Sequence, residues 1–227
     1  MKIFKNKFYF ALIIFILLIS SISVSHAKKE SQKSIIISGA WAIYPSAMAW
    51  AKEYQKINPQ IKIEVSGGGS GKGATDVIAG VVDIGMISRE PYPSELKKGI
   101  YPINILHDAV FPVINSRNPY VSEILKRGFT HKQFKDIFLK DTASTWEAYG
   151  GKLKNISLYT RSDPCAAAVL WSKFLGKKQT DLRGIGIYSD PGMLTAIKKD
   201  IYSLGYSNYS YVFNKKGKIK RHTYSPY

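Results

Sequence analysis

The sequence predicts an α/β protein built as two lobes with mostly parallel sheets and a hinge near residues 107–115. Short β-branched runs alternate with stretches of helical periodicity along the chain, which is typical of parallel sheets covered by helices. The length of 227 residues fits one large domain or two small lobes. Hydrophobic residues make up 45% of the chain and charged residues 22%, values that exclude bulk disorder.

The chain is strongly basic, with 33 Lys and Arg against 16 Asp and Glu and a net charge of +17. A charge this far from zero favours anionic partners but carries no information about the fold. The single cysteine excludes an internal disulfide and a Cys-based zinc site. His107, His131 and His222 have no metal-ligand spacing, and we predict surface or capping roles for them, with no metal and no cofactor.

Residues 1–27 have the composition of a secretory signal peptide. Three lysines precede an apolar run of 12 residues at 8–19, and Ser25 and Ala27 are the small residues expected before a cleavage site. A helix of 12 residues rises about 18 Å, short of a hydrocarbon core of roughly 30 Å. An uncleaved anchor is the alternative. Cleavage after Ala27 lowers the net charge from +17 to +14 and predicts an exported protein without stable membrane insertion.

The first predicted lobe, residues 34–107, begins with a buried strand and a helix. Pro45 suits the first helical turn, and a periodic face follows before Asn58 and Pro59. That face consists of Ala47, Trp50, Ala51, Tyr54 and Ile57. Strands are predicted at 34–38, 61–65, 82–87 and 101–106, and helices at 45–57 and 74–79.

The second predicted lobe, residues 108–213, continues the alternation. Thr130 is predicted to cap a helix, and Gly176 to end another. Residues 214–227 form a basic C-terminal tail, predicted to be solvated. Strands are predicted at 111–115, 156–160, 185–188 and 206–213, helices at 130–138, 166–175 and 191–199, and a short turn at 146–149.

The glycine-rich segment at 66–73 (SGGGSGKG) is the strongest local signal. It fails as a nucleotide P-loop, because Ser66 stands at the first glycine position and Gly73 follows Lys72. A relaxed dinucleotide pattern is met, but no acidic residue ends the next strand. The segment therefore predicts an amide-rich anion site at a helix N-terminus, with the Ser70 hydroxyl as a further donor. A plain tight turn is the alternative.

Arg89 and Arg161 each follow a predicted strand, at the edge where an open α/β sheet presents its ligand groups. The guanidinium fork suits tetrahedral oxyanions, although most basic residues in such a chain are solvated. Cys165 begins a helix, where the dipole favours a thiolate. Because no histidine is spaced to act as its base, a small buried or pocket-lining residue is predicted rather than a nucleophile.

Several segments, taken in order, resemble the phosphate-binding proteins of ABC transporters. No single segment is specific, but their combined order over residues 35–213 is. They are Ile37-Ser38-Gly39 with Ile43-Tyr44-Pro45, Ala49-Trp50-Ala51, Val65-Ser66-Gly67-Gly68-Gly69-Ser70-Gly71, Val82-Asp83-Ile84-Gly85-Met86 with Ser88-Arg89-Glu90, Asp136-Ile137-Phe138, Thr145-Trp146 and Tyr159-Thr160-Arg161.

This resemblance implies a periplasmic-binding-protein-like fold and an exported, monomeric solute-binding protein that delivers phosphate or a related oxyanion to an ABC permease. The chain departs from the family in having Ala40-Trp41-Ala42 and Cys165-Ala166-Ala167 in place of hydroxyl-rich loops, so backbone amides are expected to replace side-chain donors. Trp41 is expected to fill space in the first loop, and the C-terminal return segment is expected to be shortened. The implied ligand residues are Ala42, Ile43, Tyr44, Ser70, Gly71, Ser88, Arg89, Arg161, Cys165, Ala166 and Ala167.

Two other functions stay open at this point. The chain could be an exported basic scaffold that has lost small-ligand binding and contacts anionic polymers or a protein. It could also be a hydrolase that acts on phosphate esters through Cys165 or a basic pocket, although we predict no enzyme. The tyrosine-rich segment at 202–211 has no accompanying nucleic-acid motif, so no nucleic-acid partner is predicted.

Overall fold

A computed structural model describes residues 33–140, 144–214, 216–220 and 223–224, which form two sheets with helices between the strands. The strands are β1 Lys33–Gly39, β2 Ile61–Gly67, β3 Ile84–Met86, β4 Val110–Asn115, β5 Ser157–Arg161, β6 Ile185–Ile187, β7 Ser203–Asn208 and β8 Thr223–Tyr224. The helices are α1 Tyr44–Ile57, α2 Gly69–Ile78, α3 Pro93–Leu96, α4 Val121–Arg127, α5 His131–Leu139, α6 Ala166–Phe174, α7 Asp190–Lys199 and α8 Tyr209–Val212. Short 3-10 turns lie at Trp146–Tyr149 and Gln179–Asp181.

The N-terminal sheet has the strand order β2-β1-β3, and the C-terminal sheet has the order β6-β5-β7-β4-β8. β1 is parallel to β3, and β5 is parallel to both β6 and β7, whereas β4 runs antiparallel to its neighbours β7 and β8. The predicted α/β class with mostly parallel sheets is therefore confirmed. In such sheets the loops that follow parallel strands gather at one edge, where ligands bind. The predicted lobe bounds, 34–107 and 108–213, stay predictions.

The C-terminal sheet carries the larger hydrophobic core. An aromatic cluster of Phe134, Phe138, Trp146, Trp171 and Tyr206 is at most 3% exposed. Its rings pack at centroid distances of 5.2 Å for Phe134 and Trp171 and 5.5 Å for the stacked Trp171 and Tyr206. The N-terminal sheet packs on α1 through a much smaller cluster, made by Ala40, Ile43, Ala47 and Met86.

Three predicted elements are corrected by the structure. α2 begins at Gly69 rather than at residue 74, so Ser70 and Gly71 lie in its first turn. Residues 101–106 form no strand: they pair with no strand of either sheet in the described part of the chain. β7 occupies Ser203–Asn208, and the chain then turns into α8 rather than continuing as a strand to 213. The sequence reading also missed α3, α4 and β8.

The predicted face of α1 is only partly buried. Ala47 and Ala51 are buried, whereas Trp50, Tyr54 and Ile57 are between 44% and 80% exposed. The predicted helix is therefore present, but its larger apolar side chains are not fully covered by the other described elements. The sequence periodicity does not show which part of a helix face is covered.

Some predictions fall outside the described residues: the signal peptide at 1–27 with its cleavage site, His222 and part of the tail at 214–227. Residues 216–220 of that tail are exposed. Among the residues that the structure does describe, no helix combines the length and apolar character needed to cross a bilayer.

Candidate functional site

Several helices that follow strands of the two sheets lack a side-chain cap, and three of them carry predicted ligand residues in or before their first turn. They are α1, α2 and α6, whose capping positions are Ile43, Gly68 and Cys165. By contrast, α5 begins with a capping box in which the Thr130 hydroxyl accepts from Gln133 N at 3.2 Å. The first amides of a helix need acceptors, and an uncapped N-terminus also carries the positive end of the helix dipole. These starts are therefore suited to an anion.

The N-terminus of α2 lies against the loop that leads into α6, so the two sheets contribute neighbouring helix starts. Gly71 N donates to Pro164 O at 3.4 Å. Gly69 has φ +85°, and a Cβ there would lie 2.9 Å from Pro164 O and 3.6 Å from Cys165 Cβ. Only glycine fits this position without strain. The glycine-rich segment thus allows a close backbone approach between the two halves of the site.

Two of the predicted ligand residues, Ser70 and Ser88, lie within hydrogen-bonding distance of each other. The Ser70 hydroxyl is 1% exposed and accepts from Ser88 N at 3.1 Å, with the two hydroxyl oxygens 3.3 Å apart. These bonds tie the first turn of α2 to the end of β3. The pair adds hydroxyl groups beside the uncapped amides of α2.

The loop before α1 has its predicted amides engaged in its own turn. Ile43 N and Tyr44 N donate to Ala40 O at 3.3 and 3.2 Å. Ala42 and Ile43 are buried. The loop is tied to the C-terminal sheet by Ser210, whose hydroxyl donates to Ala42 O at 3.1 Å. The amides of this loop are less available to a ligand than those of α6, and Gly71 N of α2 is likewise engaged, by Pro164 O.

The Trp41 indole packs at the seam between the two sheets. A Cβ added at Gly67 would overlap the six-membered ring, so the indole lies on the backbone at the end of β2. The ring makes edge contacts with Tyr44 at 5.7 Å and with Tyr188, which follows β6, at 6.1 Å. Tyr211 OH donates to Trp41 O at 3.0 Å and fixes the main chain.

Arg161 is fully buried at the end of β5 and pairs with two carboxylates. Its Nε and Nη2 donate to Asp163 Oδ1 and Oδ2 at 2.8 and 2.6 Å, and its Nη1 donates to Asp190 Oδ2 at 2.5 Å. The side-chain exposure of all three is at most 2%. Burial disfavours the charged guanidinium, but Asp190 and Asp163 outweigh that effect and raise the pKa of Arg161. One cation thus faces two carboxylates, and the three side chains together carry a formal charge of −1.

The second carboxylate of this group is held by the end of β7. Asp190 Oδ1 accepts from the Ser207 hydroxyl at 2.7 Å and from Asn208 N at 3.2 Å, and Oδ2 accepts from Asn208 Nδ2 at 3.1 Å. Every donor in this set is buried. The network fixes Arg161 and Asp190 relative to each other.

Arg89 also has its charge compensated. Its Nη1 and Nη2 donate to Glu95 Oε2 and Oε1 at 2.9 and 2.7 Å, and the guanidinium carbon lies 3.7 Å from the centroid of the Tyr92 ring. The hydrogen bond to Glu95 raises the pKa of Arg89. As a ligand residue Arg89 stays a prediction, although most of its donors serve its own loop.

Cys165 is 5% exposed, which confirms the prediction of a small buried residue. Burial raises the pKa of the thiol to about 12, so the nucleophilic thiolate is disfavoured. Ala166 and Ala167, which follow it in the first turn of α6, are also buried. The helix start thus presents backbone amides and a neutral thiol.

Asp108 lies in the connection between the two sheets, near the Arg161 group. Burial raises the pKa of its carboxyl to about 6, although backbone amides of Ala109 and Tyr209 favour the ionised form. The charge of Asp190 raises it further. Asp108 therefore titrates beside the site under mildly acidic conditions.

Sequence reasoning missed Asp108, Asp163 and Asp190. A usable signal existed for Asp163, because a carboxylate two residues after Arg161 is conspicuous in a chain with only 16 acidic residues. Asp190 is 29 residues from Arg161 in sequence, and it reaches Arg161 because it follows β6, whose Ile187 pairs with Arg161 of β5.

Helix starts from two neighbouring α/β sheets that meet in this way are typical of the two-lobed α/β fold of binding proteins. Residues 24–226 match the family model described as the PBP superfamily domain, and the chain belongs to that family. The curated relatives described below are named as phosphate-binding proteins.

Two curated relatives and one solved structure illustrate the family. The chain is 32% identical over 120 residues to the phosphate-binding protein PstS 2 of Streptococcus agalactiae, covering 53% of this chain and 39% of the relative. It is 26% identical over 189 residues to the phosphate-binding protein PstS of Bacillus subtilis, covering 83% and 61%. The chain thus spans about two to three fifths of those relatives.

The solved structure comes from Clostridium perfringens and is described as a substrate-binding protein of a phosphate ABC transporter with bound phosphate. It covers 84% of each chain at 23% identity, with a TM-score of 0.72. This likeness shows the fold.

Proposed function

We propose that this chain is an exported solute-binding protein that binds phosphate or a related oxyanion between its two sheets and delivers it to an ABC permease. The observation that carries the proposal is the meeting of the uncapped N-termini of α2 and α6, one from each sheet, beside Gly71 and Pro164. Backbone amides at helix starts are suited to tetrahedral oxyanions. The names of the relatives support phosphate in particular.

The charges around Arg161 favour an oxyanion that carries a proton. One guanidinium and two carboxylates, Asp163 and Asp190, leave a formal charge of −1 beside the helix starts. Repulsion by this charge opposes a fully ionised ligand such as sulfate. A hydrogen phosphate can donate its proton to an acceptor instead, and Asp163 Oδ2, close to the backbone of Gly69, is such an acceptor. Phosphate is therefore expected to bind better than sulfate.

Isothermal titration of the purified chain with phosphate, sulfate, molybdate and tungstate tests the proposal. Phosphate is expected to give a saturable isotherm with one site per chain and at least tenfold weaker binding of sulfate. Closure around a desolvated anion strengthens each remaining electrostatic interaction. A chain that is folded by circular dichroism yet gives no isotherm with any of these anions would remove the transport role.

A matched pair of variants at Cys165 tests the location of the site. Cys165→Asn and Cys165→Asp have nearly the same shape, and both offer a side-chain oxygen to cap α6. Only the aspartate adds a negative charge at the helix start. Phosphate affinity is expected to fall at least 100-fold further in Cys165→Asp than in Cys165→Asn. Equal affinities in the two folded variants would move the ligand away from α6.

The remaining assignments rest on this function. We propose that residues 1–27 direct export to the periplasm and are removed after Ala27, that the lobes span 34–107 and 108–213, and that a monomer meets the permease. The relatives do not favour the alternative of a basic scaffold without a small ligand. The buried, neutral thiol of Cys165 does not favour a hydrolase.

A further inference from the structure

The indole nitrogen of Trp41 is a buried donor without an acceptor. Nε1 is buried and has no hydrogen-bond partner among the residues that the structure describes. Tryptophan N–H groups usually find a partner when they are buried, because burial removes their hydrogen bond to water. Trp171 Nε1 has the same status, but it lies inside the aromatic core, packed against Phe134, Phe138 and Tyr206.

The surroundings of Trp41 differ from that core in two respects. Its ring lies on Gly67, the residue before the Gly68 cap of α2, so it borders one of the uncapped helix starts. It also makes an edge contact with Tyr188, which follows β6 of the other sheet and precedes the Ser189 cap of α7. The indole is therefore held at the seam where the proposed ligand would sit, rather than in either core.

We propose that the Trp41 indole N–H donates a hydrogen bond to the bound oxyanion. This assignment rests on the proposed function and names a ligand residue for the same site. The contacts of the ring with Gly67, Tyr44 and Tyr188 hold the donor in one orientation. A donor that is already buried and immobilised loses little conformational entropy on binding, and its bond to an anion is charge-assisted. An oxyanion oxygen supplies the missing acceptor.

Nuclear magnetic resonance of the unmodified chain provides the direct test. The four tryptophans give four indole N–H signals, and the Trp41 signal is assigned as the one lost in Trp41→Phe. Titration with phosphate is expected to move that signal downfield, with saturation at the same concentration as the calorimetric isotherm. The signal of Trp50, which is 50% exposed on α1, serves as the control and is expected to stay in place.

Affinity provides a second test that does not depend on the spectrum. Trp41→Phe keeps an aromatic ring on Gly67 and removes the donor, and phosphate binding is expected to weaken at least tenfold. Trp50→Phe is the matched variant and is expected to bind as the unmodified chain does.

The outcomes separate this assignment from the proposed function. Phosphate binding by the unmodified chain with a stationary Trp41 signal overturns the assignment and leaves the function standing. Unchanged affinity in Trp41→Phe overturns it in the same way. If the unmodified chain binds no oxyanion, both fall. If Trp41→Phe fails to fold, the indole N–H signal that shifts on titration is assigned instead by its through-space contacts with protons of Tyr44 and Tyr188.

Discussion

The two halves of the molecule bury very different amounts of apolar side chain. Among the described residues, every large side chain that is less than 2% exposed comes from residues 113–212, including Trp146, Phe138 and Tyr206. The cluster on the N-terminal sheet consists of two alanines, Ile43 and Met86. Large apolar side chains such as Ile57 and Ile84 stay at least half exposed there. The C-terminal half therefore has the greater share of the hydrophobic stabilisation.

This difference matches the parts that each half contributes to the site. The C-terminal half holds the Arg161 group, whose buried charges need a rigid, hydrogen-bonded surrounding. The N-terminal half contributes backbone amides and a close approach at Gly69, for which small residues suffice. Regions with few buried contacts open at lower free energy than a dense core. The N-terminal half is therefore expected to be the part that a ligand stabilises most.

The largest expected effect is on the dense core. Phe138→Ala removes a fully buried ring that packs on Trp171 at 5.3 Å and on Tyr206 at 5.9 Å. It is expected to lower the free energy of unfolding by about 3–5 kcal/mol. Urea denaturation followed by circular dichroism measures the change.

Met86→Ala is the counterpart in the N-terminal half. Met86 is 5% exposed but packs in a cluster of small residues, so its truncation is expected to cost about 2 kcal/mol, at the low end for methionine. If Met86→Ala costs as much as Phe138→Ala, the contrast between the halves is wrong.

The next largest effect on stability is expected from the group of Arg161, Asp163 and Asp190 in the C-terminal half. Asp190→Asn keeps the shape but removes the negative charge that faces Arg161 and accepts from the Ser207 hydroxyl, and should lower stability by about 2 kcal/mol. It also brings the formal charge of the group from −1 to zero, so oxyanion affinity should rise. Asp136→Asn, on exposed lysine pairs of α5, is the control. Weaker phosphate binding in Asp190→Asn alone would show that the carboxylate serves the ligand.

Much of this contrast between the two halves could not be predicted from the sequence. The strand and helix alternation and the junctions at Ser70, Ser88 and Arg161 could be predicted, because local periodicity and strand ends determine them. The segment at 101–106 has the composition of a strand, but a strand needs a partner that only the tertiary fold supplies. The sequence also did not predict the ion pairs of Arg161, because Asp190 reaches Arg161 through the pairing of β5 with β6.

The smallest effect concerns Asp108, in the connection between the halves. Its pKa of about 6 exceeds that of an unfolded aspartate, about 3.9, so the folded chain holds a proton that the unfolded chain releases. Its contribution to stability is full below about pH 4 and is lost as the pH rises to about 6.

Asp108→Asn has no titrating group at this position. It should therefore be more stable than the unmodified chain above pH 6, by on the order of 1 kcal/mol, since the partly exposed side chain is screened by solvent. Below pH 4 the two proteins should be equally stable. Urea midpoints from pH 3.5 to 7.5 measure the difference. Asp136→Asn is the control, because lysine pairing lowers the pKa of Asp136 to about 2. The difference in stability between Asp136→Asn and the unmodified chain should therefore be constant above about pH 4 and change only below it. A difference in stability between Asp108→Asn and the unmodified chain that stays constant across the measured pH range would contradict the prediction. It would mean that the Asp108 carboxyl is solvated in the folded chain.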